Sequence, residues 1–339
     1  MRFKLLSLMS ALALGSCSQE QPISRTGPSV SGSLEGASRL GHSPGRQTLF
    51  SPDGKLLAAS NAAGEITVRR KSDWRVVRRL SHEGGSTSLA FSPNGRLLFT
   101  AGYDGRVRVW DLQTGRQRLE SQVATGTIWS LDVSPDGRWL AASGEDKVVR
   151  LVPLRQSGRR SQPLQGHELN VWEVRFSPRG DELASGSFDH TARLWSLTSP
   201  GRKVLRGHTQ AVVSVDYSPD GQWLATSGDD STIRFWRKSD AANVRTIHAG
   251  NHVYKLEFSP DGRWLASSVR ARGAIGTFWY QLTGSGGAAT PLQIWRVSDG
   301  ALVAALPHPT DVFSVSYSPD GHHIATTDED GNLRVWKIS

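Results

Sequence analysis

One five-residue turn, written seven times, limits what this chain can fold into more than any other feature. It appears as FSPDG at 50–54, FSPNG at 91–95, VSPDG at 133–137, FSPRG at 176–180, YSPDG at 217–221, FSPDG at 258–262 and YSPDG at 317–321. Successive copies are 41 to 43 residues apart, except for a last step of 59. Pro fixes φ, Asp or Asn caps the turn through its side chain, and Gly supplies positive φ. An apolar strand follows each copy, for example KLLAAS, RWLAAS and QWLATS. Each copy is therefore read as a β-hairpin. One hairpin is marginal in water, so seven at this period must stack their faces, as blades of a propeller do. The expected fold is all-β, a seven-bladed β-propeller of four-stranded antiparallel blades.

The bulk numbers agree with one large all-β body of 339 residues. The formal charge is +9, but the arginines are spread over most repeats. Phosphate binding favours a concentrated basic stripe, so the charge is read as solubility and no nucleic-acid partner is expected. A single cysteine excludes an intramolecular disulfide and a cysteine metal cluster. No cofactor and no metal are expected, and the propeller is read as monomeric.

That cysteine stands at a particular place. Arg2 and Lys4 form a positive start, Leu5 to Leu14 a short apolar run, and Gly15, Ser16 and Cys17 follow. A run of ten residues is too short to span a bilayer, which takes about 20 in a helix. The pattern is that of a secretory signal. Leu14-Gly15-Ser16-Cys17 resembles the lipobox of bacterial lipoproteins. The resemblance implies cleavage before Cys17 and a lipid on its thiol, hence a place in the cell envelope. Ser18 is not the Asp associated with inner-membrane retention, so in a Gram-negative cell the expectation is the outer membrane, facing the periplasm. Residues 1–17 are thus read as signal and 18–37, rich in Ser, Gly and Pro, as a flexible tether. The propeller is read over 38–339.

The fourth copy serves as a template: GHELNVWEVRFSPRGDELASGSFDHTARLWSL, from Gly166 to Leu197. VWEVRFSP, DELASGS and TARLWSL read as three strands, and GRKVLRGH at 201–208 as a fourth. With its Gly-His opening and its Trp-terminated third strand, the chain resembles the WD-repeat family of β-propellers over about 38–339. The resemblance implies a hydrogen-bonded network inside each blade. Four copies carry the full set: His82, Thr100, Asp104 and Trp110; His167, Ser185, Asp189 and Trp195; His208, Thr226, Asp230 and Trp236; and His308, Thr326, Asp330 and Trp336. Buried Trp brings a large apolar area and one N–H that needs a partner. Ser, His and Asp also compose hydrolase triads, but a triad is needed once, not four times with a Trp attached. No catalytic residue is assigned and the chain is read as a non-enzyme.

Three copies depart from this set. Copy one has Arg69 and Ala63 at the Trp and Asp positions. Copy three has Val152, Ala142 and Ala124 at the Trp, Ser and His positions beside Asp146. Copy six keeps Trp295, with Ala249 for His and no Asp. Apolar packing alone is expected to hold these three. The long step of copy six lies in 270–290, between its second and third strands. The chain stops at RVWKIS, a third strand with no fourth after it. SRLGH at 38–42 matches the fourth strands RRLSH and VLRGH, so the N-terminal strand is expected to close the last blade.

The resemblance also implies where partners bind: on the face formed by the loops between fourth and first strands and between second and third. Its positions here are Thr87 and Tyr103; Thr127, Trp129 and Glu145; Asn170, Trp172 and Phe188; Val213 and Asp229; His252 and Tyr254; and Asp311, Phe313 and Glu329. The insertion adds Phe278, Trp279 and Tyr280. Exposed aromatics are enriched in interface hot spots. The expected function is therefore an interaction scaffold for a protein partner, tethered in a bacterial envelope. Two alternatives stay open: an envelope polysaccharide stacked on Trp129 or Trp172, and a channel hydrolase or lyase built from Glu145, Asp229, His252, Asp311 and Glu329.

Overall fold

The computed structural model describes residues 30–154, 160–271 and 290–339. Every regular element among them is a strand, and the strands form seven four-stranded antiparallel sheets. We number the blades 1 to 7 by their copies of the turn. The innermost strands, around the central axis, are Gly45–Phe50, Ser86–Phe91, Ile128–Val133, Val171–Phe176, Val212–Tyr217, His252–Phe258 and Val312–Tyr317.

Blade 7 is closed as the repeat pattern requires. Its fourth strand is Gly32–Arg39, antiparallel to Asn332–Ile338 at the C-terminus. The strand thus reaches six residues further upstream than the tether boundary drawn from sequence. Its pattern hid it: GSLEGASR faces mostly solvent, so it needs no apolar alternation. Gly32 also lies close under Leu306: a Cβ there would stand 2.7 Å from Leu306 Cδ2, so that side chain would have to shift. The signal, Cys17 and residues 18–29 lie outside the described residues.

The repeated turn is organised by its serine. In blade 1, Ser51 Oγ donates to Asp53 Oδ1 (2.6 Å) and accepts from the Leu56 amide (2.9 Å). Gly54 follows with φ 68° and donates its N–H to the Ser51 carbonyl. Copy four has Arg179 where the others have Asp or Asn; there Ser177 Oγ donates instead to Asp181 (2.6 Å).

The core lies between blades. Trp110 of blade 2 packs on Ala58, Ile66, Val68 and Leu80 of blade 1. Trp195 packs on Ala141, Val149 and Leu151 of blade 3, and Trp236 on Ala184, Ala192 and Leu194 of blade 4. Each sheet twists and stacks its apolar face on the next, so burial is completed only when the ring closes.

Candidate functional site

The four expected networks divide three to one. His167 bonds Ser185 Oγ through Nε2 (2.7 Å) and Asp189 through Nδ1 (2.8 Å), and Trp195 Nε1 donates to the same Ser185 oxygen (2.8 Å). His208, Thr226, Asp230 and Trp236 repeat this geometry. In blade 2 the imidazole is turned over, with Nδ1 at Thr100 (2.8 Å) and Nε2 at Asp104 (3.2 Å). Burial opposes ionisation of Asp189, yet the hydrogen bonds from His167 and Thr191 outweigh it and hold the carboxyl below its usual range. Burial lowers the affinity of His167 for a second proton, against the pull of Asp189.

Blade 7 lacks the acid. Asp330 is exposed, and His308 Nδ1 donates to the Leu306 carbonyl (3.0 Å) while Nε2 bonds Thr326 (2.9 Å). The local sequence also differs from that of blades 4 and 5. In blades 4 and 5 the Asp also accepts the amide of the residue after His, Glu168 or Thr209. In blade 7 that residue is Pro309, which has no N–H to give.

Apolar packing is not the whole account of the other three blades. Trp295 Nε1 donates to Ser267 (2.9 Å), and Gln293 Nε2 reaches the Ala249 carbonyl where a His would stand (3.1 Å). In blade 1, Asn61 links Glu65 and the Leu40 carbonyl. There Arg69 bonds the carbonyl of Trp74, whose ring joins the cluster between blades 7 and 1. In blade 3, Arg150 pairs with Asp146 at 2.6 Å.

The binding positions named from sequence have a geometric origin. In all seven blades the pairing of first and second strands shifts register near the start of the first strand. A bulge of this kind frees one residue from the ladder and re-aims its side chain. The freed residues are Thr87, Trp129, Trp172, Val213, Tyr254 and Phe313, with Arg46 in blade 1. They turn toward the axis at one mouth of the channel, around a cavity of about 60 Å³.

Their rings form a chain. Tyr103 meets Trp129 edge-on (6.0 Å), Trp129 stacks on Trp172 (4.5 Å, 19°), and Trp172 stacks on Phe188 (5.2 Å, 14°). Tyr254 bridges edge-on from Trp172 to Phe313. Two guanidiniums complete it. Arg46 donates to the Tyr103 hydroxyl (2.6 Å) and lies 5.4 Å from the Phe313 ring; Arg270 lies 4.3 Å from Tyr254 and 4.2 Å from Phe313. Cations over ring faces are attracted by the π quadrupole. Tyr103, Trp129, Trp172, Phe188 and Tyr254 remain half-buried, while Phe313 and Val213 are buried. Sequence reasoning missed both arginines. The equivalent of Thr87 in copy one was the available signal for Arg46.

The acids of the face differ in burial and in their partners. Glu145 is exposed and accepts the Thr127 amide (3.1 Å); Asn170 and Glu329 are half-buried. The Asp229 carboxylate is buried, and its carbonyl meets His252 Nδ1 (2.5 Å). Asp311, also buried, accepts from Thr290 (3.0 Å). Among the described residues no group of three or more His, Cys, Asp or Glu is arranged to hold a metal. Phe278, Trp279 and Tyr280 lie outside the described residues.

Deeper in the channel the inner strands have no strand neighbour on the axis side, so their exposed amides need acceptors. Side chains from the preceding blade supply them: Gln47 to Leu89, Ser88 to Leu131, Ser130 to Val174, Glu173 to Val215 and Ser214 to Leu256. Asp132, Asp216 and Glu257 do the same for Phe176, Phe258 and Tyr317. Lys255 and Arg175 answer these acids, both pairing with Glu173. Burial, reinforced by Asp216, pushes the Glu257 carboxyl up to about 8. Glu257 is half-exposed by area, but only to this narrow channel.

With this geometry in view, the comparisons decide the family. The model for the WD domain, G-beta repeat, matches 74–111, 117–152, 158–196, 201–237, 242–272 and 300–337, more than half of the chain. The chain belongs to the WD-repeat family. The six matches correspond to copies two to seven. The WD-repeat blade without a match is the first, which carries Arg69 and Ala63 in place of Trp and Asp. Protein groucho of Drosophila melanogaster is 36% identical over 104 residues, 30% of this chain. The aligned stretch is 14% of that protein's length.

Proposed function

We propose that this WD-repeat propeller is a non-enzymatic scaffold that binds a partner protein on the channel mouth ringed by aromatics. One observation carries the reading. Five half-buried rings from blades 2, 3, 4 and 6 meet two guanidiniums in one continuous surface, with Trp129, Trp172, Tyr254 and Arg46 aimed into it by the bulges of their inner strands. Large, rigid aromatics and arginine are the side chains that concentrate binding energy at interfaces. Arg270, the first residue of the 270–290 insertion, stands at this mouth, and residues 272–289 lie outside the described residues.

The test is crosslinking in the native envelope with wild type and with Trp129→Ala/Trp172→Ala, followed by mass spectrometry. A partner recovered reproducibly with wild type and lost with the double variant is the expected result. Equal recovery with both proteins places the interface elsewhere.

We further propose that a lipid on Cys17 holds the propeller at a bacterial membrane. Support comes from the Leu14–Cys17 pattern and from the position of the chain's one cysteine. A diacylated chain anchors stably because each buried CH₂ contributes about 0.8 kcal/mol. Cys17→Ala is expected to move the protein from membrane to soluble fractions; an unchanged distribution overturns the anchor.

A further inference from the structure

Of the residues that the bulges free at the channel mouth, six carry no charge: Thr87, Trp129, Trp172, Val213, Tyr254 and Phe313. Arg46 of blade 1 is the exception. Its guanidinium donates one side-chain hydrogen bond, to the Tyr103 hydroxyl (2.6 Å), and lies near the rings of Tyr103 (5.8 Å) and Phe313 (5.4 Å). Its Nε is buried and meets no acceptor. Neighbouring cations are answered by acids. Arg270 lies 3.9 Å from Asp311, and Lys255 pairs with Glu173. No carboxylate among the described residues pairs with Arg46.

A guanidinium offers five N–H donors in a fixed fork, and a planar carboxylate can take two of them at once. Tyr103 uses only one. Burial lowers the proton affinity of Arg270, Tyr254 and Asp311 raise it, and Arg46 lowers it again. The two cations therefore repel beside the Phe313 ring they share, and an anion there would favour both. The cavity under the mouth, about 60 Å³, has Arg46, Lys255, Ser88, Ser130 and Ser314 in its wall. A cavity that takes a benzene ring is about 150 Å³, so this one admits a carboxyl head and no aromatic ring. Glu173 also lines it, but Lys255, Ser214 and the Val215 amide already engage its oxygens.

We propose that the partner anchors itself by one acidic side chain, aspartate or glutamate, inserted at the channel mouth. Its carboxylate meets Arg46, and the residues on either side of it lie on the rings. This rests on the scaffold reading and names the chemistry of the partner's anchor.

The probes are two tripeptides, acetylated and amidated at their ends, with alanine flanking a central glutamate in one and a central glutamine in the other. Each is titrated into the full chain and followed by the indole N–H resonances of Trp129 and Trp172. Saturable shifts are expected with the glutamyl peptide, and binding weaker by about tenfold or more with the glutaminyl one. Arg46→Gln should weaken the glutamyl peptide to the same level, and Arg46→Lys, which keeps the charge, should recover part of the loss. Absence of saturable binding to wild type, or equal binding of the two peptides, overturns the inference; neither measurement needs a variant to fold. Binding that survives Arg46→Gln overturns it too. The same tripeptide with central phosphoserine, and dialanine with a free C-terminal carboxylate, are titrated in parallel. Tighter binding of either than of the glutamyl peptide overturns the assignment to an acidic side chain.

Arg46→Gln is also carried through the crosslinking experiment. A partner lost with both Arg46→Gln and Trp129→Ala/Trp172→Ala is the expected result. A partner kept with Arg46→Gln but lost with the tryptophan variant overturns the anchor and leaves the scaffold reading standing. A partner kept with both overturns the reading on which the anchor rests.

Discussion

Trp129 and Trp172 lie face to face, 4.5 Å apart and 19° from parallel, although they belong to different blades. Neither is held there by strand pairing. Each is the bulged residue of its inner strand, so the stack reports how two independent sheets are placed around the axis. An offset aromatic pair of this kind is worth about 0.5–1.5 kcal/mol beyond its buried area. Trp172→Ala is expected to lower stability modestly and to remove the coupled indole signal from the circular dichroism spectrum. A spectrum identical to wild type would mean the rings are not stacked in solution.

Trp195 has a different role. It is 4% exposed, packs on blade 3 and donates to Ser185. Trp195→Ala should cost about 3–5 kcal/mol in denaturant unfolding, as large buried aromatics do. A cost below about 1 kcal/mol would remove the network from the list of features that hold the fold.

Two aspartates at equivalent repeat positions should differ in their importance. Asp189 accepts from His167, Thr191 and the Glu168 amide, whereas Asp330 is exposed and outside its network. Asp189→Asn should destabilise by about 1–3 kcal/mol, the cost of breaking a buried charged hydrogen bond. Asp330→Asn should stay within about 0.5 kcal/mol of wild type. Equal losses would restore Asp330 to the network.

The channel acids give the fold a pH dependence of definite sign. Folded Glu257 keeps its proton up to about pH 8, whereas an unfolded glutamate loses it near 4.5. Between these values the folded state binds more protons, so the Glu257 contribution declines as pH rises. Asp216, raised by burial to about 6 against the pull of Arg175, acts in the same direction at lower pH. His308, lowered by burial to about 4, acts oppositely, losing stability as pH falls below 6.5. The difference between wild type and Glu257→Gln isolates the first effect. Wild type should lose stability relative to the variant from pH 5 to 8, read as denaturation midpoints. A constant difference would contradict the raised carboxyl.

The closing strand can be tested by deletion. Removing residues 1–40 strips Asn332–Ile338 of its partner and leaves an open sheet edge. A lower melting temperature and a larger scattering signal are expected. Unchanged melting would show that the ring closes without Gly32–Arg39.

The sequence by itself determined the number of blades, the place of the turns and three of the four full networks, because these depend on short-range chemistry repeated in register. Ser51 and its equivalents bind within five residues, and a Pro-Gly turn needs no distant partner. It also put Trp129, Trp172, Tyr254 and Phe313 in one phase of the repeat, though it missed Arg46 and Arg270. Only the tertiary structure decided what lies across blade boundaries. Arg46 meets Tyr103 and Phe313, Phe99 answers the loss of an indole at Val152, and the polar strand Gly32–Arg39 finds the C-terminus. Such pairs carry no common spacing in the chain. Their partners are set by how twisted sheets stack around an axis, and that geometry exists only when the ring is complete.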